Sequence, residues 1–150
     1  MSHNLQFYID GAWVDPVTPR TVGVIDPSTE QPFTEISLGS KADVDKAVAA
    51  ARAAFPAFSQ TTRAERLALL RRILEVYQTR YEDVANAISR EIGAPVTLAH
   101  KAQAAIGTGH ITQIIEVLGR YEFEYMQGTT LIAKEAVGVV GMITPWNWPM

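Results

Sequence analysis

One short loop sequence, TPWNWP at residues 144–149, combines residue types that a reaction centre uses. Asn147 carries an uncharged amide N–H₂ donor, a group suited to stabilising a developing oxyanion without titrating. The two tryptophans that flank it offer flat faces for a cofactor or substrate, and the two prolines stiffen the backbone by fixing φ. The same residues also suit an aromatic-rich turn in which Asn147 bonds locally. The residue types alone leave both interpretations open.

Other candidate chemistries are weaker. The histidines, at positions 3, 100 and 110, have no second histidine four residues on, and the sequence contains no cysteine and no HExxH, so we predict no metal site. Gly107-Thr-Gly109 is not a GxGxxG because residue 112 is threonine, and no GxSxG marks a nucleophilic serine. The arginines between Arg63 and Arg72 fit a solvated helix face, with nearby glutamates to compensate.

The loop follows a nearly unbroken apolar run, Val137 to Ile143. Such a run is typical of a strand buried on both faces in a parallel sheet. Ligands of open α/β sheets bind outside the carboxyl ends of the strands. The sequence therefore predicts a buried strand that delivers residues 144–149 to a ligand site.

Shorter β elements are predicted at the other end of the chain. Gln6–Ile9 and Ala12–Val14 flank an Asp10-Gly11 turn, which is a hairpin signal. Val22–Ile25 and Phe33–Ser37 are two further strand candidates, separated by residues typical of a turn.

Apolar residues at three- and four-residue intervals predict helices between residues 40 and 118. The first begins after Ser40 and should end or kink near Ala54, because Pro56 does not suit a helix interior. The second is capped by Thr62 with Glu65 three residues on. Two more are predicted at Tyr81–Glu91, where Gly93 can adopt the left-handed conformation that ends a helix, and at Val96–Leu118. Two β segments around Gln127-Gly128 follow.

The totals bound the class of protein. The chain has 150 residues, 47% hydrophobic and 19% charged, which is an ordinary globular composition for about one domain. A net charge of −3 gives no electrostatic reason to expect nucleic acid or an anionic membrane as a partner. With no signal peptide and no apolar stretch of about 20 residues, we expect a soluble, cytoplasmic protein.

The stretch GVVGMITPWNWPM resembles the signature of the aldehyde dehydrogenase superfamily, and four other segments resemble that family in the same order. YIDGAWVD and VIDPSTEQP are similar to its N-terminal hairpin and the turn that follows. DVDKAVAAARAAFPAF with RAERLALLRRI is similar to its first two helices, and EIGAPVTLA to its acidic-x-Gly-Lys-Pro segment. Ala94 departs from the usual lysine, and Glu91 stands where many members have an aspartate at a bound monovalent cation.

The resemblance implies an α/β fold, namely the N-terminal part of a Rossmann-like cofactor-binding domain with an N-terminal β-hairpin, helices and the start of a β bridging arm. It implies oxidation of an aldehyde to a carboxylic acid with NAD or NADP, through a cysteine thiohemiacetal and thioester. Asn147 resembles the asparagine that binds the oxyanion. The positions matching the cofactor groove are Ile143, Thr144, Pro145 and Trp146.

The resemblance divides the chain into three parts. Residues 1–120 correspond to the cofactor-binding domain, 121–137 to the arm through which homodimers or homotetramers form, and 138–150 to the first buried strand and the oxyanion loop. The catalytic cysteine and glutamate lie further on in this family, and this chain contains no cysteine. We therefore expect an inactive fragment of an aldehyde dehydrogenase. The alternatives are a non-catalytic assembly subunit of this ancestry and an unrelated helical binding module.

Overall fold

Two antiparallel hairpins form the N-terminal part of the computed structural model, which describes residues 3–150. β1 (Phe7–Ile9) pairs with β2 (Ala12–Val14), and β3 (Thr21–Asp26) pairs with β4 (Gln31–Ser37). In the turn between β1 and β2, Asp10-Gly11 has φ values of 53° and 77°, the left-handed conformation that a type I′ turn requires. The predicted hairpin and the two further strands are confirmed.

The first helix, α1 (Lys41–Ser59), is tied to the preceding chain by one carboxylate. Asp43 accepts hydrogen bonds from the Ser40 hydroxyl at 2.6 Å, the Ser40 N–H at 2.8 Å and the Val17 N–H at 2.8 Å. These bonds, those from Ser40 first, lower the pKa of Asp43 to about 2. Asp43 therefore fixes the start of α1 against the segment that joins the two hairpins.

α1 was predicted to end or kink near Ala54, and an end at that position is wrong, because the helix continues through Pro56 to Ser59. A proline removes one backbone N–H donor and crowds the preceding turn. Pro56 lies in the last turn, so little helix depends on the missing bond, and the Ser59 hydroxyl donates to the Pro56 carbonyl at 3.1 Å.

The next two helices begin where the sequence predicts, and the second of them ends one residue after the predicted Glu91. α2 (Arg63–Thr79) starts after Thr62, whose hydroxyl accepts the Glu65 N–H at 3.2 Å, while the Glu65 carboxylate accepts the Thr62 N–H at 2.7 Å. α3 (Tyr81–Ile92) ends at Gly93, which has a φ of 70°. The capping box and the left-handed terminal glycine are confirmed.

The fourth predicted helix contains an irregular turn. α4 (Val96–Leu98) leads into a π-helical turn at Ala99–Gln103, and α5 (Ala104–Arg120) follows. Such a turn carries an extra residue and shifts the faces that later residues present.

A buried tyrosine holds the start of α5 against α2. The Tyr77 hydroxyl donates to the Ala104 carbonyl at 2.7 Å, and a Cβ atom at Gly107 would lie 2.5 Å from that hydroxyl oxygen. From sequence, Gly107 is only a residue that weakens the helix. The structure shows that this position needs glycine because the tyrosine ring lies against it.

The buried core lies between α3, the π turn and α5. Its members are small side chains and one isoleucine: Ala85, Ile88, Ala99 and Ala104. Partly buried apolar residues of α3 and the turn after it pack around them. The core is therefore centred on the helices.

The third hairpin, β5 (Glu124–Gln127) with β6 (Thr130–Ala133), confirms the two β segments predicted around Gln127-Gly128. Its base is held to α2 and to itself. The Arg63 guanidinium donates to the Tyr121 carbonyl at 3.1 Å, and the Lys134 ammonium donates to the Tyr121 hydroxyl at 2.9 Å.

The predicted buried strand at Val137–Ile143 is wrong. No strand forms between residues 134 and 150, and Val137 and Ile143 are 92% and 101% exposed. A strand requires a neighbour to pair its backbone N–H and C=O groups, and no other described segment pairs with this one. The apolar run therefore forms no strand, and most of its side chains stay exposed in this chain.

Candidate functional site

The loop at residues 144–149 bends at Trp146–Trp148 and is exposed along its whole length. Ile143, Thr144, Pro145, Trp146 and Asn147 are all exposed, and Trp146 keeps 79% of its surface accessible. The five predicted site residues thus lie on one continuous exposed stretch.

An open cleft of about 510 Å³ lies between this loop and α3. The loop contributes Thr144, Pro145 and Trp146, and α3 contributes mainly apolar side chains that include Ile88 and Ile92. Three of the four predicted cofactor positions therefore line the cleft, whereas Ile143 does not.

One hydrogen bond joins the loop to the buried part of the molecule. The Gln103 side-chain N–H₂ donates to the Asn147 backbone carbonyl at 2.9 Å, and Gln103 is only 4% exposed. Gln103 is the last residue of the π turn, directly before the carbonyl that Tyr77 holds. Burial raises the pKa of the Tyr77 hydroxyl, which favours the protonated form that donates to the Ala104 carbonyl.

The Asn147 side chain takes no part in that bond. Within residues 3–150 its amide group has no hydrogen-bond partner, so the local bond expected of an asparagine in a turn is not formed. The backbone at this position is fixed while the side-chain donor is left for another group. This arrangement suits a binding role for the amide.

Acidic and metal-binding groups are sparse around the loop. Glu91 lines the same cleft as Thr144 and Trp146 and, among residues 3–150, is the only acidic residue that does so. Nowhere in the part of the chain that the structure describes do three or more His, Cys, Asp or Glu side chains form a group that could hold a metal ion. None of the helices in residues 3–150 combines the length and apolarity required to cross a bilayer.

Sequence reasoning missed Gln103, the residue that anchors the loop. A glutamine inside a helical pattern gives no signal of its own, and its burial depends on the shift that the π turn introduces. The buried Oε1 atom of Gln103 has no hydrogen-bond donor among the described residues. Buried polar atoms without partners are uncommon and mark positions to inspect for function.

Known proteins similar to this chain belong to the family that the stretch GVVGMITPWNWPM resembles. The family model described as "Aldehyde dehydrogenase family" matches residues 13–150. A 3-succinoylsemialdehyde-pyridine dehydrogenase from a Pseudomonas species is 45% identical over 146 residues, which are 97% of this chain and 31% of that protein. The chain therefore spans about three tenths of the length of the relatives it matches.

Solved structures show the same fold. An aldehyde dehydrogenase C mutant from Pseudomonas syringae, in complex with NAD⁺ and octanal, superposes with a TM-score of 0.94 at 41% identity, covering 97% of this chain and 30% of that one. An aldehyde dehydrogenase from Bartonella henselae gives a TM-score of 0.81 at 44% identity, covering 83% and 26%. The expected fold class, the N-terminal part of the aldehyde dehydrogenase fold, is confirmed. The match over nearly the whole chain shows that this protein belongs to the aldehyde dehydrogenase family.

Proposed function

We propose that this chain supplies the oxyanion donor and part of the cofactor groove of an NAD(P)-dependent enzyme that oxidises an aldehyde to a carboxylic acid. The observation that carries the proposal is the state of Asn147. Its backbone carbonyl is fixed by Gln103, and its side-chain amide is free of hydrogen bonds within residues 3–150. Membership of the aldehyde dehydrogenase family supports the reaction class.

An uncharged amide suits this reaction. Attack of a thiolate on the aldehyde carbonyl forms a C–S bond and places negative charge on the carbonyl oxygen. A fixed amide N–H group donates a hydrogen bond to that charged oxygen and does not itself titrate. Loss of one such donor typically costs about 10²–10³ in rate. The overall reaction consumes aldehyde, NAD(P)⁺ and water and yields carboxylic acid, NAD(P)H and a proton.

The stretch Ile143–Trp146 fits a nicotinamide cofactor. Bound NAD(P)⁺ would supply the hydride acceptor. The exposed faces of Pro145 and Trp146 offer apolar surface against which a flat ring can pack, and the Thr144 hydroxyl offers a hydrogen-bonding group beside them. The Pseudomonas syringae relative solved with NAD⁺ supports this assignment.

The nucleophile must come from outside these residues, because the 150-residue sequence contains no cysteine. We therefore propose that the isolated chain does not oxidise aldehydes. We also propose that residues 121–137 act as the first part of an arm that joins subunits into a homodimer or homotetramer. The exposed β5–β6 hairpin, held at its base by Arg63 and Lys134, supports this role.

A second candidate function rests on the same missing cysteine. In it the chain is a non-catalytic assembly subunit of this ancestry, and the β5–β6 hairpin is its binding element. The two candidates differ in what the source cell makes: a larger active enzyme in the first, and in the second an inactive protein with the 16.5 kDa mass of this chain.

The test is to measure intact mass and aldehyde-dependent NADH or NADPH formation for the protein as its source cell produces it, beside the isolated 150-residue chain. The proposal predicts turnover by the first, with a mass well above 16.5 kDa, and none by the second. Turnover by the isolated chain would contradict the need for an outside cysteine. A mass of 16.5 kDa without turnover would favour the assembly subunit.

A further inference from the structure

We infer that Gln103 is a positioning residue for the oxyanion donor, acting on the reaction through its bond to the Asn147 backbone. The inference rests on the proposed function of Asn147. Gln103 lies in the π turn, 44 residues before Asn147, and nothing in the loop sequence indicates that the two residues are in contact.

The hydrogen bond between Gln103 and Asn147 is a long-range contact made by a buried donor. It joins positions 44 residues apart, its donor–acceptor distance is 2.9 Å, and its donor belongs to a side chain that is 4% exposed. A buried amide on a helix has few alternative rotamers and cannot exchange its partner for water easily. The bond therefore holds the Asn147 carbonyl in one place.

The position of Gln103 is itself fixed by the helices around it. The π turn at Ala99–Gln103 sets the direction in which Gln103 points, and the next residue, Ala104, is fully buried. The Tyr77 hydroxyl bonds the Ala104 carbonyl at 2.7 Å, and the ring lies against Gly107. Gln103 thus connects the packed contact between α2 and α5 to the backbone of the loop.

This anchor matters because, within residues 3–150, it is the only hydrogen bond that joins residues 139–150 to the rest of the molecule. The prolines at 145 and 149 fix φ at two points, and the Gln103 bond fixes the carbonyl between them. With the backbone of residue 147 held, the Asn147 amide samples fewer positions. A misplacement of about 1 Å at a reacting centre can cost about 10²-fold in rate.

The experiment replaces Gln103 by methionine, which keeps the length and apolar packing of the side chain and removes its donor. The pre-steady-state burst of NADH formation is measured in the protein as its source cell produces it. We expect Gln103→Met to slow the burst roughly 10- to 100-fold and to leave the NAD⁺ dissociation constant within about threefold. The matched control, Gln113→Met, makes the same change at an exposed position of α5 and should leave the burst unaltered.

A double-mutant cycle shows whether Gln103 acts through Asn147. In an Asn147→Ala background, Gln103→Met should have little further effect on the burst, because the group that it positions is gone. An equal effect in both backgrounds would overturn the inference, and so would a Gln103→Met burst within twofold of the wild type. If Asn147→Ala itself leaves the burst unchanged, the proposed function fails. If only Asn147→Ala slows the burst, the positioning role fails alone.

A second variant serves if Gln103→Met does not fold. Gln103→Glu keeps the shape of the side chain, and its carboxylate repels the Asn147 carbonyl, whereas its protonated form can donate a hydrogen bond. The ratio of its burst rate to that of the wild type should therefore rise as the pH is lowered. A ratio near one at every pH would overturn the inference.

Discussion

Two apolar parts of this chain have opposite fates. In α3, Ala85 and Ile88 are 0% and 4% exposed and form the centre of the core. In the run before the loop, Val137 and Ile143 are 92% and 101% exposed. The second segment is at least as apolar as the first, so hydrophobicity alone does not decide burial. A helix satisfies its own backbone and needs only a surface to pack on, whereas a strand also needs a partner for its hydrogen bonds.

The proposed reaction site lies next to the exposed run rather than in the packed core. Asn147 and the residues proposed to contact the cofactor follow the exposed run, and they are joined to the packed side through Gln103 and the cleft beside α3. Loops carried on a rigid scaffold are common sites of binding and catalysis. Here the scaffold is the contact between α2, α3 and α5.

Truncating one isoleucine in each part tests whether the two parts differ in burial as the structure shows. In the 150-residue chain, Ile88→Ala should lower the free energy of unfolding by about 2–5 kcal/mol, because it leaves a cavity in the core. Ile143→Ala removes the same atoms from an exposed site and should change it by less than about 0.5 kcal/mol. Equilibrium unfolding in urea measures both, and comparable losses would mean that the two parts are equally buried.

A pair of glycines on α5 tests how tightly the scaffold is packed. Gly107→Ala places a Cβ atom 2.5 Å from the Tyr77 hydroxyl oxygen and should destabilise the protein by about 1–3 kcal/mol. Gly109 has no heavy atom within 4 Å of the same added carbon, so Gly109→Ala should stabilise it by up to about 1 kcal/mol through helix propensity. Thermal unfolding of the two variants gives the sign of each effect. If Gly107→Ala is neutral, Tyr77 does not fix α5 as described.

The smallest expected effect is confined to acidic pH. The pKa of Asp43 is about 2 in the folded state, against an ordinary value of 3.8, so its hydrogen bonds contribute stability above pH 3.8 that is lost as the pH falls through about 2. Removing the carboxylate with Asp43→Asn should make the free energy of unfolding less dependent on pH over that range. Identical pH profiles of the variant and the wild type would show that Asp43 is not the group responsible.

The elements that the sequence predicts well are those whose causes are local. Thr62 with Glu65, Gly93 and Asp10-Gly11 each set a boundary through bonds or φ values within a few residues, and the structure has each boundary in place. The end of α1 was missed although Pro56 is also local. Its effect depends on how much helix follows it, which the residue type does not reveal.

The features that could not be predicted depend on distant contacts. Nothing near Gln103 indicates that the helix carries a π turn there or that the side chain reaches residue 147. The strand predicted at Val137–Ile143 is absent because pairing is a property of two segments, and composition describes only one. The candidate site residues 143–147 follow from the loop sequence and its family resemblance and stay predictions, whereas their contact with Gln103 is visible only in the fold.

The role of the Asn147 amide is tested by the rate of the NADH burst in Asn147→Ala, measured in the protein as its source cell produces it. Asn86→Ala, the same substitution at an exposed position of α3, is the control. If the Asn147 amide binds the oxyanion, its loss should slow the burst by about 10²–10³ while NAD⁺ binding and the control stay near wild type. A burst at the wild-type rate in Asn147→Ala would show that the Asn147 amide does not stabilise the oxyanion.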